Sequence, residues 1–329
     1  MKRFYVGIDI SKDWLDVAVL ETDSKKIISE KRIDNNQKHI FKLINQLLKK
    51  GNADSYWFCF EHTGNYGLEL MLCLDQKSLL YSVVPAQEII LSQGIKRGKN
   101  DRIDAIRIAE FAAIQNARLK PSKLPVKELL VIKQLLSVRR HLIKTRSSYK
   151  NSLKTHTIAS KVSEDETAIL ICQKQIEQLN QEINQVERQI KDKIKSNQEI
   201  HRNFELITSV KGIGIIVAAQ IIVYTNNFTS FDNHRKFSCY SGIAPFENSS
   251  GQKVSNKKTS KFRNQIMKTL LMNAANSAVI YDPQMKKYYS RKINEGKATY
   301  SVLNAVACKL IARMFAVVKR QNPYVIIHN

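Results

Sequence analysis

The 329-residue chain is short of paired cysteines and of acids. Its five cysteines (Cys59, Cys73, Cys172, Cys239 and Cys308) are scattered, odd in number and never form a Cys-x-x-Cys pair. That spacing excludes a zinc ribbon and a disulfide framework, and it fits a reducing cytosol. No uncharged apolar run of the length of a membrane-spanning helix is expected, and so no membrane partner. The opening Met1-Lys2-Arg3-Phe4-Tyr5-Val6-Gly7-Ile8-Asp9 is too short and too soon acidic for a signal peptide. No Gly-x-Ser-x-Gly elbow is present. Acids are outnumbered, 29 Asp and Glu against 53 Lys and Arg, giving a formal net charge of +24. A chain this basic meets a polyanion, and nucleic acid is the expected one.

What is there begins with a short apolar run and a partly alternating one. Phe4 to Ile10, Trp14 to Leu20 and Lys26 to Ile33 are three strand-like runs with turn residues between them, a β-meander. Ile40, Leu43, Ile44, Leu47 and Leu48 follow at helical spacing and stop at Gly51. Tyr56 to Phe60 reads as a buried strand, Tyr66 to Leu74 as a helix and Leu80 to Val84 as a strand before Pro85. A last helix opens at Asp101. Three strands, helix, strand, helix, strand, helix is the order expected of a ribonuclease-H-like α/β domain.

Four acids fall at telling places in that order. Asp9 lies inside the first strand between Ile8 and Ile10, where a charge is costly unless paired or ligating a metal. Glu61 ends the fourth strand, and ligands gather near strand carboxyl ends in open α/β sheets. Asp101 and Asp104, three residues apart, share one face of the last helix, with Ile103, Ile106, Phe111 and alanines expected toward the core. A solvated first turn favoured by the helix dipole is the plainer reading of that pair. Four carboxylates converging would make an oxygen-rich site for Mg²⁺, able to hold two metals about 3.5–4 Å apart for phosphoryl transfer. Asp13 and Asp16, flanking the second strand, read as solvated. Val6-Gly7-Ile8-Asp9-Ile10-Ser11 also resembles the opening of actin-like sugar kinases, but no glycine-rich phosphate loop appears before Gly94.

From Arg118 to Lys161 twelve Lys or Arg stand against one acid, Glu128. Leu129, Ile132, Leu136 and Ile143 form a helical stripe beneath them, and such a one-signed face favours phosphate contacts. Arg139, Arg140, Lys144, Arg146, Lys150 and Lys154 are the candidates. Cys172, Ile176, Leu179, Ile183, Val186 and Ile190 then follow a coiled-coil stripe. Two long antiparallel helices joined near Lys161 to Asp165 are expected, either a spacer or a dimer contact. Further on, Lys211-Gly212-Ile213-Gly214 between two apolar segments resembles a helix-hairpin-helix turn, whose backbone N–H groups can hold a phosphate; a plain turn between core helices is the alternative. Basic residues Lys253, Lys257, Lys258, Lys261, Arg263 and Lys268 follow a polar loop containing Ser249 and Ser250.

Gly7-Ile8-Asp9, Phe60-Glu61-His62-Thr63-Gly64-Asn65-Tyr66-Gly67, Lys99-Asn100-Asp101-Arg102-Ile103-Asp104-Ala105, and Gly242-Ile243-Ala244-Pro245 through Ser249-Ser250-Gly251 occur in this order. Together they resemble, over nearly the whole chain, the IS one-ten family of bacterial insertion-sequence transposases, the DEDD transposases. The resemblance implies a RuvC-like nuclease domain over 1–118, a basic helix and coiled-coil hairpin over 119–203, and a mainly helical transposase domain over 204–329. It places the four family acids on Asp9, Glu61, Asp101 and Asp104, with Mg²⁺ as cofactor, and the family's nucleophilic serine on Ser250, with Ser249 adjacent. It also implies an element-encoded guide (bridge) RNA, donor and target DNA, and a homo-oligomer, a dimer that forms a tetramer in the synaptic complex. In such an oligomer nuclease and serine domains of different subunits complete one site, in the bacterial cytoplasm at the nucleoid. Asn256 to Asn264 departs from the family's Gly-Arg-Ile-Ser-Lys-like stretch, with Phe262 or Arg263 in place of its glycine, so no role is carried onto those positions. A RuvC-like junction nuclease using water would share the four acids without needing Ser250, and a non-catalytic nucleic-acid-binding protein would leave them without a purpose.

Overall fold

Nearly continuous apolar runs build the first sheet. In the computed structural model, which describes residues 2–93, 101–244, 249–250, 253–254 and 263–325, β1 (Phe4–Ile10), β2 (Trp14–Glu21) and β3 (Lys26–Asp34) form an antiparallel meander. Helix α1 (Gln37–Leu48) follows, capped by the Asn36 side chain, which accepts the His39 N–H at 3.1 Å. Then come β4 (Tyr56–Glu61), α2 (Leu68–Gln76), β5 (Tyr81–Val84), α3 (Ala86–Gln93) and α4 (Asp101–Ile114). The sheet order is β3-β2-β1-β4-β5, with β4 parallel to β1 and β5 parallel to β4. This is the expected ribonuclease-H-like arrangement. Pro85 follows the end of β5 as expected and also serves as the entry to α3, a helix that the sequence does not otherwise announce.

The sheet is covered on both faces. Phe4, Val6, Ile8, Ile10, Leu15, Val17 and Val19 pack on one side with Ile40 and Ile44 of α1 and Leu70 and Leu74 of α2. The residues between them in sequence point the other way. There Tyr5 and Cys59 meet Ile108, Phe111 and Ala112 of α4, while Ala18 and Leu20 meet Ala105 and Ala109. Ile103, expected in the core, is 40% exposed, while Phe111 and the alanines are buried as expected; the stripe that packs is Ala105, Ile108, Ala109, Phe111 and Ala112, its alanines small enough to let the helix approach. Contact is closest at Gly7, where an added Cβ would lie 2.2 Å from the Ala105 carbonyl oxygen and 2.3 Å from the Ala109 nitrogen.

The chain divides into compact units at residues 1–124 and 125–329. The second opens with α5 (Lys127–Ser163), a 37-residue helix, and α6 (Thr167–Lys195), of 29 residues. Glu164, in the left-handed region at φ 54°, turns the chain between them. Cys172, Leu179, Ile183, Ile190 and Ile194 are the buried residues of α6. Helices α7 (Gln198–Thr208), α8 (Ile215–Tyr224) and α9 (His234–Tyr240) follow. A small ladder, β6 (Ser249–Ser250) with β7 (Lys253–Val254), precedes α10 (Gln265–Tyr281), α11 (Pro283–Asn294) and α12 (Thr299–Arg320). Leu129, Ile132 and Leu136 at the start of α5 and Ile190 and Ile194 at the end of α6 share one core with these later helices. Helix α12 corrects one expectation, since its 22 residues are long and apolar enough to cross a membrane. Val302, Val306, Ala307, Leu310, Ile311, Met314 and Val317 are instead buried within the unit, which accounts for its apolar composition.

Gly7→Ala should displace α4 from the sheet, because the added carbon meets backbone rather than a movable side chain. We expect a cost of about 1–3 kcal/mol or more, read as a lower urea midpoint for the N-terminal unit and loss of catalytic activity. The same change at Gly214, where a Cβ would meet nothing within 4 Å, should leave the midpoint nearly unchanged.

Candidate active site

The register of the sheet gathers the acids. Asp9 of β1 pairs directly with Asp16 of β2, and Asp16 pairs with Arg32 of β3. On the other side β1 and β4 run parallel with Ile8 matched to Phe60, so Asp9 and Glu61 follow one step further along at the strand carboxyl ends. Directly matched residues point to the same face, so Asp9, Asp16, Arg32 and Glu61 lie in one row on the side that α4 covers. Helix α4 brings Asp101 and Asp104 in its first turn, where acids are favoured by the helix dipole.

Charge of one sign is thereby concentrated. Burial first, then the negative charges of Asp101, Asp104, Glu61 and Asp16, hold the Asp9 carboxyl up at about 6, since both effects disfavour the ionised form. Arg32 offsets part of the excess. Its Nε and Nη2 donate to the Asp16 carboxylate at 3.0, 3.1 and 2.7 Å, and Nη2 also donates to Asp101 Oδ2 at 3.2 Å. Arg107 Nη1 donates to Asp104 Oδ1 at 2.8 Å, and Arg102 lies 3.7 Å from Glu30 of β3. Burial, with the Glu61 charge added, pushes the neighbouring Cys59 thiol up to about 12, which leaves it inert as a nucleophile.

The donor chemistry fits a hard divalent cation. The four predicted acids offer only carboxylate oxygens, the set that suits Mg²⁺ or Mn²⁺ rather than zinc, and the carboxylates facing the half-buried Asp9 are charge that such a cation would balance. The structure brings all four within electrostatic reach, but not into shared ligation. Among the described residues no three His, Cys, Asp or Glu side chains stand close enough to hold one ion as arranged. Like charges repel, and Asp101 and Asp104 take arginine partners instead.

Asp16 and Arg32 are the site residues the sequence reading missed. Asp13 is exposed as expected, but Asp16 is only 3% exposed and faces Asp9. A tight β1–β2 hairpin, with Ile10 opposite Leu15, is the signal that could have found it.

In the second unit, Ser250 lies in β6, in register with Lys253 of β7, and Ser249 with Val254. Lys257, Lys258 and Lys261 lie outside the described residues. Gly212 adopts φ 93°, and a Cβ there would press within 2.7–2.8 Å of Ala274 and Ala278 of α10, so it serves helix packing. Lys211 and Gly214 are exposed at the start of α8. The basic face of α5 divides in two. Arg139 Nε donates to Glu187 and Arg146 Nη1 to Asn180, each at 2.7 Å, tying α5 to α6. Arg140, Lys144, Lys150 and Lys154 face solvent, within an arc of about 120° at 3.6 residues per turn. Lys268 is buried, its ammonium 5.5 Å from the Tyr300 ring centre, and so stands apart from the surface-basic residues it was grouped with.

Known proteins resemble both units. Residues 6–157 match the IS110 DEDD transposase model (DEDD_Tnp_IS110), and residues 204–290 match that of the IS116/IS110/IS902 transposase family. A pilin gene-inverting protein of Moraxella bovis is 24% identical over 332 residues, 98% of each chain. The transposase of insertion sequence IS1111A from Coxiella burnetii is 24% identical over 258 residues, covering 70% of this chain and 69% of the relative. The RuvC structure of T. thermophilus bound to a Holliday junction aligns with 36% of this chain and 99% of its own, at 10% identity and a TM-score of 0.28. With an acid row in its N-terminal unit and a transposase match in each unit, the chain belongs to the IS110 family of insertion-sequence transposases, enzymes that cut and rejoin DNA.

Proposed function

We propose that this transposase is an RNA-guided recombinase in which the acids Asp9, Glu61, Asp101 and Asp104 hold Mg²⁺ at the scissile phosphate and Ser250 is the nucleophile. The observation that carries the reading is the acid row itself, two strand ends and one helix start directed to one face with charge in excess. Bound there, Mg²⁺ would stabilise the charge that develops on the phosphate oxygens. Asp9 and Glu61 sit on sheet strands and are the fixed members; Asp101, with 60% of its side chain exposed, is the adaptable one. Ser250 Oγ forms a bond to phosphorus as the bond to a DNA oxygen breaks, so one phosphoester replaces another and the joint can be reversed without a further energy source. A full-length relative named for inverting a gene favours rejoining over hydrolysis.

The solvent-facing Arg140, Lys144, Lys150 and Lys154, with Lys211 and Gly214 at the start of α8, are assigned to nucleic-acid backbones. Lys253, Lys257, Lys258 and Lys261 around the serine loop join them on sequence grounds. Guide RNA, donor DNA and target DNA are the partners the family resemblance brings, with base pairing choosing the sites. Assembly as a dimer, and as a tetramer at synapsis, would let the serine of one subunit meet the acids of another, with the α5–α6 hairpin as the candidate contact.

Purified with its co-expressed RNA and given Mg²⁺ and labelled element-junction DNA, the protein should yield a slow protein–DNA band on a denaturing gel. The band should vanish in Ser250→Ala and in Asp101→Ala. DNA cut without it, and cut equally well by Ser250→Ala, would make the enzyme a hydrolytic nuclease.

Asp9 gives a pH signature. Its folded pKa of about 6 lies above the unfolded 3.8, so ionised Asp9 costs stability that begins to appear above about pH 4 and is complete above about pH 6. Asp9→Asn should therefore raise Tm by several degrees at pH 7.5 and leave it unchanged near pH 4, while abolishing activity. Mg²⁺ should raise Tm of the wild type at pH 7.5 and not that of the variant.

For the basic face, Lys144→Gln and Lys150→Gln should each weaken RNA and duplex binding irrespective of sequence. Each should also reduce the slope of log K against log salt by about 1. Arg139→Gln should instead lower thermal stability, through the lost bond to Glu187.

A further inference from the structure

Arg32 was no part of the motif, yet it links three elements of the site. Its guanidinium is fixed on the buried Asp16 by bonds from Nε and Nη2, and Nη2 reaches on to Asp101. The two contacts differ in kind. Asp16 has 4% of its side chain exposed and takes the short 2.7 Å bond, whereas Asp101 is 60% exposed and takes the longer bond of 3.2 Å. A buried carboxylate directly opposite Asp9 needs a permanent counter-charge; an exposed one on the first turn of a helix can exchange its partner at little cost.

We propose that Arg32 is the exchangeable partner of Asp101, displaced from it when the divalent cation binds. Anchored on Asp16, it holds the first turn of α4 over the acid row and yields Asp101 to the divalent cation, keeping its own bonds to Asp16. This rests on the reading of the row as a metal site. Asp16 is then a fifth acid of the centre that serves through Arg32 rather than by ligating the ion. The cation competes with the guanidinium for one carboxylate, so the bridge sets how much Mg²⁺ the enzyme needs.

The structure supplies a reporter. The Arg32 guanidinium lies 5.8 Å from the ring centre of Trp14, and the chain's other tryptophan is Trp57. In a full-length Trp57→Phe protein, Mg²⁺ should change Trp14 emission saturably, with the same midpoint as the rise in Tm, and the change should be lost in Asp101→Asn. The paired variant Asp16→Asn/Arg32→Gln removes the bridge without altering net charge. It should reach its Mg²⁺-dependent rise in Tm at roughly two- to fivefold lower Mg²⁺, whatever its Tm without the ion. Arg32→Lys, which keeps a cation beside Asp16 but cannot span both carboxylates, should shift the same way and serves if the paired variant does not fold. If Mg²⁺ raises Tm of the wild type but leaves Trp14 emission unchanged, or the variants need as much Mg²⁺ or more, Arg32 is only a structural partner of Asp16. If Mg²⁺ raises Tm of no protein in the set, the metal-site reading fails and this proposal with it.

Discussion

Helix α4 rests on β1 with no side chain between them at Gly7, and the acid cluster depends on that contact. A β-carbon on Gly7 would overlap the helix backbone at Ala105 and Ala109, so the helix can lie this close only because small residues meet there. Asp101 and Asp104 stand one turn and less from Ala105, and a helix carries its first turn rigidly with the next. The geometry of the centre is thus set by the absence of bulk at its floor. At that contact the helix presents Ala105 and Ala109, with the larger Ile108 and Phe111 packing to one side.

The second organising force is electrostatic. Four carboxylates act on Asp9, and Arg32 and Arg107 take up part of the charge. The two arginines do so differently, one bridging three chain segments, the other reaching back along its own helix. What the fold leaves under-compensated is Asp9, the acid most constrained by its strand, and local charge excess of this kind is characteristic of sites built to bind cations.

Much of this was legible in the sequence. Near-continuous apolar runs marked β1, β2, β4 and β5, because both faces of the sheet are covered there, while β3, largely exposed, was marked by its turn residues. The four acids were legible because they occupy strand ends and a helix start. Asp16 was not, since its partner is fixed by hairpin register, which local composition does not reveal. Gly212 and Lys268 misled for a related reason: a glycine or lysine in a basic, turn-rich segment carries no sign of whether a helix such as α10 packs over it. Arg139 and Arg146 were counted with the surface charges because the missing acids between Arg118 and Lys161 hid their partners, Glu187 and Asn180, which come from the facing helix. The length of α12 suggested no membrane by eye yet meets the physical threshold for one; burial in a helical core makes the same demand on composition as lipid does.

The charge crowding at Asp9 also has an evolutionary side. Most positions in a protein resist change because change unfolds it; at Asp9, where burial and neighbouring carboxylates disfavour the charge, loss of the carboxylate works the other way. A copy no longer selected for activity could therefore lose Asp9 without penalty and gain stability in doing so, ending as an inert chain that still presents the exposed cations of α5.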